Sequence, residues 1–152
     1  DKVKISFPGE TWEFLGFSYH NGEIDLSDTT LRKTKAKIKR KADALRRWSR
    51  SKGLPYEKGA IGLIHAMNRK FFGTPNTNEE NDEETKEFTW SRWFFPNLTT
   101  DKGLKIIDAY FQEYIRYTVT GRHYKGNYRI SYKQLKDWGY RSLVHEYYKE
   151  RR

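Results

Sequence analysis

The first part of the chain alternates apolar and polar residues with the period of two that a half-buried strand requires. The alternation runs over residues 2–7 and again over residues 11–20, with Pro8-Gly9 as a turn between them. Asn21-Gly22 then marks a tight hairpin, because both central residues of a type I′ turn need positive φ. A return strand over Glu23–Leu26 completes the pattern, which predicts a small antiparallel sheet.

Beyond the return strand the period changes to that of amphipathic helices. Ser27 or Asp28 is placed to cap a long first helix that ends at Gly53. Pro55 suits the first turn of a second helix, which ends at Gly73. The residues that predict the buried faces of these two helices are Leu31, Ile38, Ala42, Leu45 and Trp48, followed by Tyr56, Ala60, Ile64, Met67 and Phe71.

Three more helices are predicted in the second half of the chain. The first of them follows a cap at Thr99 or Thr100 and ends at Gly121. Ser131 begins a capping box for a short helix, and a last helix starts near Leu143. The fold class that results is α+β and mainly α, with a small antiparallel β-hairpin sheet followed by a helical bundle.

Two segments between the second and third helices do not follow either period. Residues 74–87 are polar and mostly acidic, which predicts a solvated, mobile loop. The aromatic run after it suits stacking on nucleic-acid bases and also core packing, and core packing is favoured. Its rings are Trp90, Trp93, Phe94 and Phe95. We predict two parts, a sheet over residues 1–26 and a helical part over residues 27–152.

Charge narrows the class of partner. The chain has 152 residues, a formal net charge of +10 and no cysteine. The positive charge favours anionic partners, with nucleic acid ahead of an acidic membrane surface. The absence of cysteine excludes disulfide scaffolds and thiolate metal sites. No run is apolar enough to span a bilayer and no secretory signal pattern is visible, so we predict a cytoplasmic protein with no membrane partner.

The first predicted helix is crowded with like charges. Lys33, Lys37 and Lys41 follow one another at four-residue spacing, where cations repel, and a phosphate backbone would compensate for that repulsion. A solvated face of a basic protein is the simpler alternative. Lysines give affinity without base readout, so little sequence specificity is expected. The predicted phosphate contacts are Arg32, Lys33, Lys37, Arg40, Lys41 and Arg47, with Arg122, Lys125 and Arg129 in a later basic, tyrosine-rich segment.

Catalytic patterns are absent from the sequence. His20, His65, His123 and His145 are far apart in the chain, with no spacing that suggests a zinc site. The carboxylates concentrate in the acidic segment, whereas a two-metal site needs them on rigid elements. We therefore predict no catalytic residue and no metal ligand in this chain.

Two stretches resemble a known family. Lys2-Val3-Lys4-Ile5, then Trp12-Glu13-Phe14-Leu15-Gly16-Phe17 and the basic helix resemble the end of the palm and the start of the thumb in bacterial reverse transcriptases. The nearest types are group II intron, retron-like and phage-defence polymerases. A stretch over residues 130–143 resembles a C-terminal segment of some bacterial members.

The resemblance implies roles for particular residues. Phe14, Leu15, Gly16 and Phe17 would form the primer grip, which holds the primer strand near its growing end. Lys2 or Lys4 resembles the lysine on the preceding palm strand. A glycine within a strand also favours close backbone approach to a ligand, and a bulge or a packing glycine is the alternative.

The resemblance also implies partners. The thumb-like helices would pack along RNA or an RNA/DNA template–primer duplex, and the fingers and palm of the polymerase would be the protein partner. The complete enzyme would use Mg²⁺, with no cofactor in this chain, because its metal-binding aspartates lie in a Tyr-x-Asp-Asp turn that this sequence lacks. We therefore expect a fragment of a longer protein that binds but does not polymerise alone.

Two other functions are left open by the residues. The same basic face suits a non-enzymatic, maturase-like module that binds structured RNA. Alternatively, the aromatic run over residues 90–95 is a protein–protein assembly surface, including self-association as a homo-oligomer, and the positive charge is incidental.

Overall fold

The computed structural model describes residues 12–73 and 89–151. The predicted strand over residues 2–7, the candidate residues Lys2 and Lys4, and the acidic segment 74–87 lie outside these ranges. The described elements, in chain order, are β1 (Trp12–Phe14), β2 (Phe17–His20), β3 (Glu23–Leu26), α1 (Asp28–Lys52), α2 (Tyr56–Phe72), α3 (Trp90–Trp93), α4 (Lys102–Thr120), a 3₁₀ helix (Lys125–Arg129), α5 (Tyr132–Asp137) and α6 (Leu143–Glu150).

The three described strands form one antiparallel sheet in the order β1-β2-β3. The Asn21-Gly22 hairpin is confirmed, with His20 opposite Glu23. The single strand predicted over residues 11–20 is wrong, because Leu15-Gly16 is itself a two-residue turn that pairs Phe14 with Phe17. Both turns have two residues at positive φ, as type I′ geometry requires.

Local signals set the ends of α1. The hydroxyl of Ser27 accepts from the backbone N–H of Thr30 at 3.1 Å, so Ser27 is the N-cap. Gly53 ends the helix in the left-handed conformation at φ 66°. The predicted buried stripe needs one correction, because Trp48 is 42% exposed and Ser49 is the buried residue in that turn.

Helix α1 packs very closely on α2. A Cβ on Gly59 would come within 2.8 Å of the Ser49 hydroxyl and 3.0 Å of the Leu45 carbonyl oxygen. Ile38, Ala60 and other fully buried residues of the two helices belong to one hydrophobic cluster that also includes α4. On α4 the predicted inward residues Leu104, Ile107, Phe111, Tyr114 and Thr118 are all buried.

The start of α4 differs from the prediction. Its N-cap is Asp101, and neither Thr99 nor Thr100 takes that position. The Thr100 hydroxyl accepts from the N–H of Lys102 at 3.3 Å, and a carboxylate oxygen of Asp25 in β3 accepts from the N–H of Gly103 at 3.1 Å. Burial raises the pKa of Asp25, although its bonds to backbone N–H groups oppose the rise.

The aromatic run belongs mainly to the core. Trp90, Phe94 and Phe95 are 2%, 8% and 1% exposed, which confirms core packing for these three rings. Phe94 meets Phe17 edge-on with ring centres 5.1 Å apart, and Phe71 meets Trp90 at 4.7 Å. These three rings are therefore not available as an assembly surface.

The last helix, α6, is held against α4 by one buried carboxylate. Asp108 accepts four hydrogen bonds, from the Tyr140 and Ser142 hydroxyls and from the N–H groups of Leu143 and Val144, at 2.8–3.1 Å. Ser142 is also the N-cap of α6. None of the helices within the described ranges has the length and apolar character needed to cross a bilayer.

Candidate nucleic-acid interface

The Leu15-Gly16 turn is fixed to the N-terminus of α1. The carbonyl oxygen of Gly16 accepts from the N–H of Ser27 at 2.8 Å and from the Thr30 hydroxyl at 3.0 Å. On β1, the Glu13 carboxylate accepts from the N–H of Asp28 at 3.2 Å. Hydrogen bonds therefore join the turn and the strand before it to the start of the basic helix.

The four residues of the predicted primer grip have different environments. Phe17 is buried, Phe14 is half-buried, and Leu15 is 48% exposed at φ 52°. Gly16 lies in the turn and not within a strand, which corrects the prediction. Its missing side chain is explained by packing, because a Cβ would lie 3.1 Å from the Phe94 ring. The surface that this turn offers is therefore the Leu15 side.

The cations of α1 surround the exposed side of the helix instead of lining a single stripe. At 3.6 residues per turn, Lys33, Lys37 and Lys41 form one row, on the flank beside α2. Positions 32, 39 and 46 form a second row, on the flank beside α4. Between the two rows lie Arg40 and Arg47, both exposed.

Among the described residues, few of these charges are compensated. The five ion pairs of the described residues include no lysine or arginine of α1. Arg46 is engaged, since it donates to the Thr118 carbonyl oxygen at 3.0 Å and lies 4.2 Å above the Tyr56 ring. Lys35 lies 5.5 Å above the Tyr110 ring. Neither residue was predicted to contact phosphate.

The strongest repulsion is between α1 and α2. Lys70 of α2 is half-buried and lies beside Lys37 and Lys41. Burial and these two ammonium groups lower the pKa of Lys70 to about 8. An anion placed among the three lysines would remove the repulsion, so this flank is a candidate phosphate-binding surface.

The second predicted basic segment is folded against α4. Asn127 is buried, and its amide donates to the Arg122 carbonyl oxygen at 2.7 Å while its amide oxygen accepts from the Thr120 hydroxyl at 2.7 Å. The Arg122 guanidinium lies 4.4 Å from the centre of the Tyr124 ring. The predicted residues Arg122, Lys125 and Arg129 are all exposed.

Sequence reasoning missed two cations of this candidate interface. Lys70 and Arg116 each lie beside buried apolar residues of their own helix. Each is also surrounded by residues that are distant in sequence. Arg116 is 9% exposed and donates from Nε to the Ile130 carbonyl oxygen at 2.9 Å. A charged residue on a predicted buried face is the only signal that could have marked either one.

Metal binding has no candidate cluster among the described residues. No cluster of three or more histidine, aspartate or glutamate side chains suited to a metal ion occurs in the part of the chain that the structure describes. Comparisons with protein-family models, with curated proteins and with solved structures find no match to this chain.

Proposed function

We propose that this chain is the primer-grip and thumb part of an RNA-directed DNA polymerase and that it binds a template–primer duplex. The family resemblance of its sequence gives the polymerase class. The observation that carries the proposal is the attachment of the Leu15-Gly16 turn to the N-terminus of a helix whose surface cations have no carboxylate partners among the described residues.

Duplex binding rests on the charge of α1. Lys33, Lys37 and Lys41 present one row of ammonium groups beside α2, and Lys70 adds a fourth cation to that row. A phosphate backbone would relieve the repulsion among these groups and release its own counterions. Such contacts are independent of base sequence, as a polymerase that copies any template requires.

The turn supplies the second part of the proposal. Leu15 keeps a positive φ that a branched side chain rarely adopts, and its side chain remains exposed. Strained residues persist where the surrounding structure holds them, often at binding sites. In the proposal Leu15 contacts the primer end, while the rest of the polymerase supplies the catalytic aspartates and their Mg²⁺.

Binding of a blunt RNA/DNA hybrid, measured by fluorescence anisotropy over a range of salt concentrations, tests the proposal. The association constant K falls as salt rises, so the slope of log K against log salt is negative. We expect the combined variant Lys33→Gln, Lys37→Gln and Lys41→Gln to make this slope less steep by about three, one for each lost phosphate contact. Circular dichroism would check that the helix content is retained.

A matched control uses three lysines that have carboxylate partners. Lys102, Lys105 and Lys133 pair with Glu23, Asp101 and Asp137. Their combined change to glutamine alters the net charge equally, and the salt slope should stay near the wild-type value. Equal slopes for both triple variants would mean that general charge, and not the row on α1, governs binding.

The maturase-like alternative uses the same surface. Competition between the hybrid duplex and a folded RNA of equal length separates the two functions. If the polymerase proposal holds, the affinity for the hybrid should equal or exceed the affinity for the folded RNA. A clear preference for the folded RNA would favour the structured-RNA module.

A further inference from the structure

A cavity of about 520 Å³ lies between α4 and the segment that follows it. Its volume is within the range of about 300–1,000 Å³ typical of small-ligand sites. Its lining includes Glu113, Arg116, His123, Tyr124, Lys125 and Tyr128. None of its lining residues belongs to α1 or α2.

The charge of this cavity is set by Arg116. Its side chain is nine-tenths buried, and Nε is occupied by the Ile130 carbonyl oxygen. No carboxylate of the described residues forms an ion pair with its guanidinium. Glu113, the one acid in the lining, pairs with His123 at 3.1 Å. A buried guanidinium without a carboxylate favours an anionic ligand such as a phosphate.

Exposed tyrosine rings stand beside this cation. Tyr128 is 76% exposed, and the Arg116 guanidinium lies 5.6 Å from the centre of its ring. Tyr124 is 45% exposed and rests so closely on Gly126 that any side chain there would displace it. Exposed rings beside cations are the usual elements of sites for unpaired bases, which stack on rings while their phosphates meet positive charge.

We propose that this cavity binds one unpaired nucleotide of a nucleic-acid strand. Arg116 and Lys125 hold its phosphate, and its base stacks on Tyr128. The inference deepens the proposed function and depends on it, because the same strand would continue from the duplex on α1. A template strand that extends beyond a duplex has the required chemistry.

The test compares a blunt hybrid with the same hybrid carrying a short single-stranded extension that contains 2-aminopurine. We expect the wild-type chain to bind the extended hybrid about tenfold more tightly, and 2-aminopurine fluorescence to fall as it stacks. Tyr128→Leu and Lys125→Gln should each remove most of this preference. Tyr128→Leu should not change the affinity for the blunt hybrid more than about twofold.

Tyr148→Leu is the control, because Tyr148 is 48% exposed and outside the cavity, and it should keep the full preference. Equal binding of the two hybrids by the wild-type chain, or an unchanged preference in Tyr128→Leu, would overturn the nucleotide site and leave duplex binding intact. If the wild-type chain bound neither the blunt nor the extended hybrid, the proposed function and this inference would both be overturned.

Discussion

Two glycines in the turns between the strands have similar backbones and very different surroundings. Gly16 and Gly22 both have positive φ, at 89° and 79°. A Cβ on Gly16 would press against the Thr30 hydroxyl at 3.0 Å and the Phe94 ring at 3.1 Å, whereas Gly22 has nothing within 4 Å. A side chain at Gly22 would meet backbone strain alone, whereas a side chain at Gly16 would meet both backbone strain and crowding.

We expect Gly16→Ala to destabilise the fold by about 2–4 kcal/mol, and Gly22→Ala by about 1 kcal/mol. Both substitutions cost the energy of a left-handed alanine, and the first also displaces the Phe94 ring. Urea unfolding followed by circular dichroism gives both values. Equal losses would mean that Phe94 moves away freely and that Gly16 is needed only for its φ.

Lys70 connects stability to pH. Burial and the neighbouring Lys37 and Lys41 lower its pKa from 10.5 to about 8. Below pH 8 both the folded and the unfolded chain carry this charge, so its repulsion reduces stability in full. As pH rises from about 8 to 10.5 the folded state loses the proton first, and the cost disappears.

Replacing Lys70 should therefore stabilise the free protein. We expect Lys70→Met to raise the free energy of unfolding at pH 7 by about 1 kcal/mol, a figure reduced for solvent screening of a half-buried group. The gain should vanish by pH 10.5. Lys58→Met, an exposed lysine of the same helix, should change little at either pH. A gain that persisted at high pH would point to apolar packing of the methionine instead.

Among the elements, α6 depends on a single residue of α4. The carboxylate of Asp108 receives two donors on each oxygen, including the first N–H groups of α6. It thus serves α6 as a cap supplied from another helix. Burial and Asp108 together raise the pKa of Tyr140, so the Tyr140 hydroxyl stays protonated and donates.

Asp108→Asn should destabilise the fold by about 2–3 kcal/mol, because an amide NH₂ group must then face buried donors. Asp137→Asn is the matched change at an exposed ion pair, where Lys133 lies 3.7 Å away, and it should cost less than about 0.5 kcal/mol. Thermal unfolding of the two variants provides the comparison. Similar values would show that the segment after α4 contributes little to global stability.

The sequence predicts these elements well wherever the signals are local. Ser27, Gly53 and Gly121 cap or end helices through their own neighbours, and all three were predicted. The turn at Leu15-Gly16 was missed because leucine at positive φ is held there by contacts with α1 and the aromatic run. The cap of α4 was missed for the same reason, since Asp25 belongs to a distant strand.

Candidate site residues divide in the same way. The exposed cations of α1 follow from counting charges along a helix, so the sequence finds them. The burial and contacts of Arg116 and Lys70 come from neighbours far along the chain, and no spacing rule in the sequence predicts them. Gly16 was identified from sequence as special, but packing against Phe94 accounts for it and a ligand is not required.

For the molecule as a whole, the sheet and the helices share one core. Phe17 and Leu26 of the sheet belong to the same buried cluster as Ile38, Leu63 and Phe111 of the helices. A three-stranded sheet of short strands has little stability alone and depends on such packing. The predicted division at residue 26 thus separates parts that are joined by buried apolar contacts.

A shared core has a consequence for unfolding. We expect one cooperative transition, with tryptophan fluorescence and far-ultraviolet circular dichroism following the same curve. Phe17→Ala leaves a cavity beside Phe94. The free energy of unfolding from either curve should fall by about 2–4 kcal/mol, although the dichroism reports mainly helix. Phe17→Leu, which retains most of the buried volume, should lower both values by less. An early loss of the sheet with an unchanged helical transition would instead mean that the described strands, residues 12–26, fold and unfold on their own, and that the turn at Leu15 is coupled to α1 only through its hydrogen bonds.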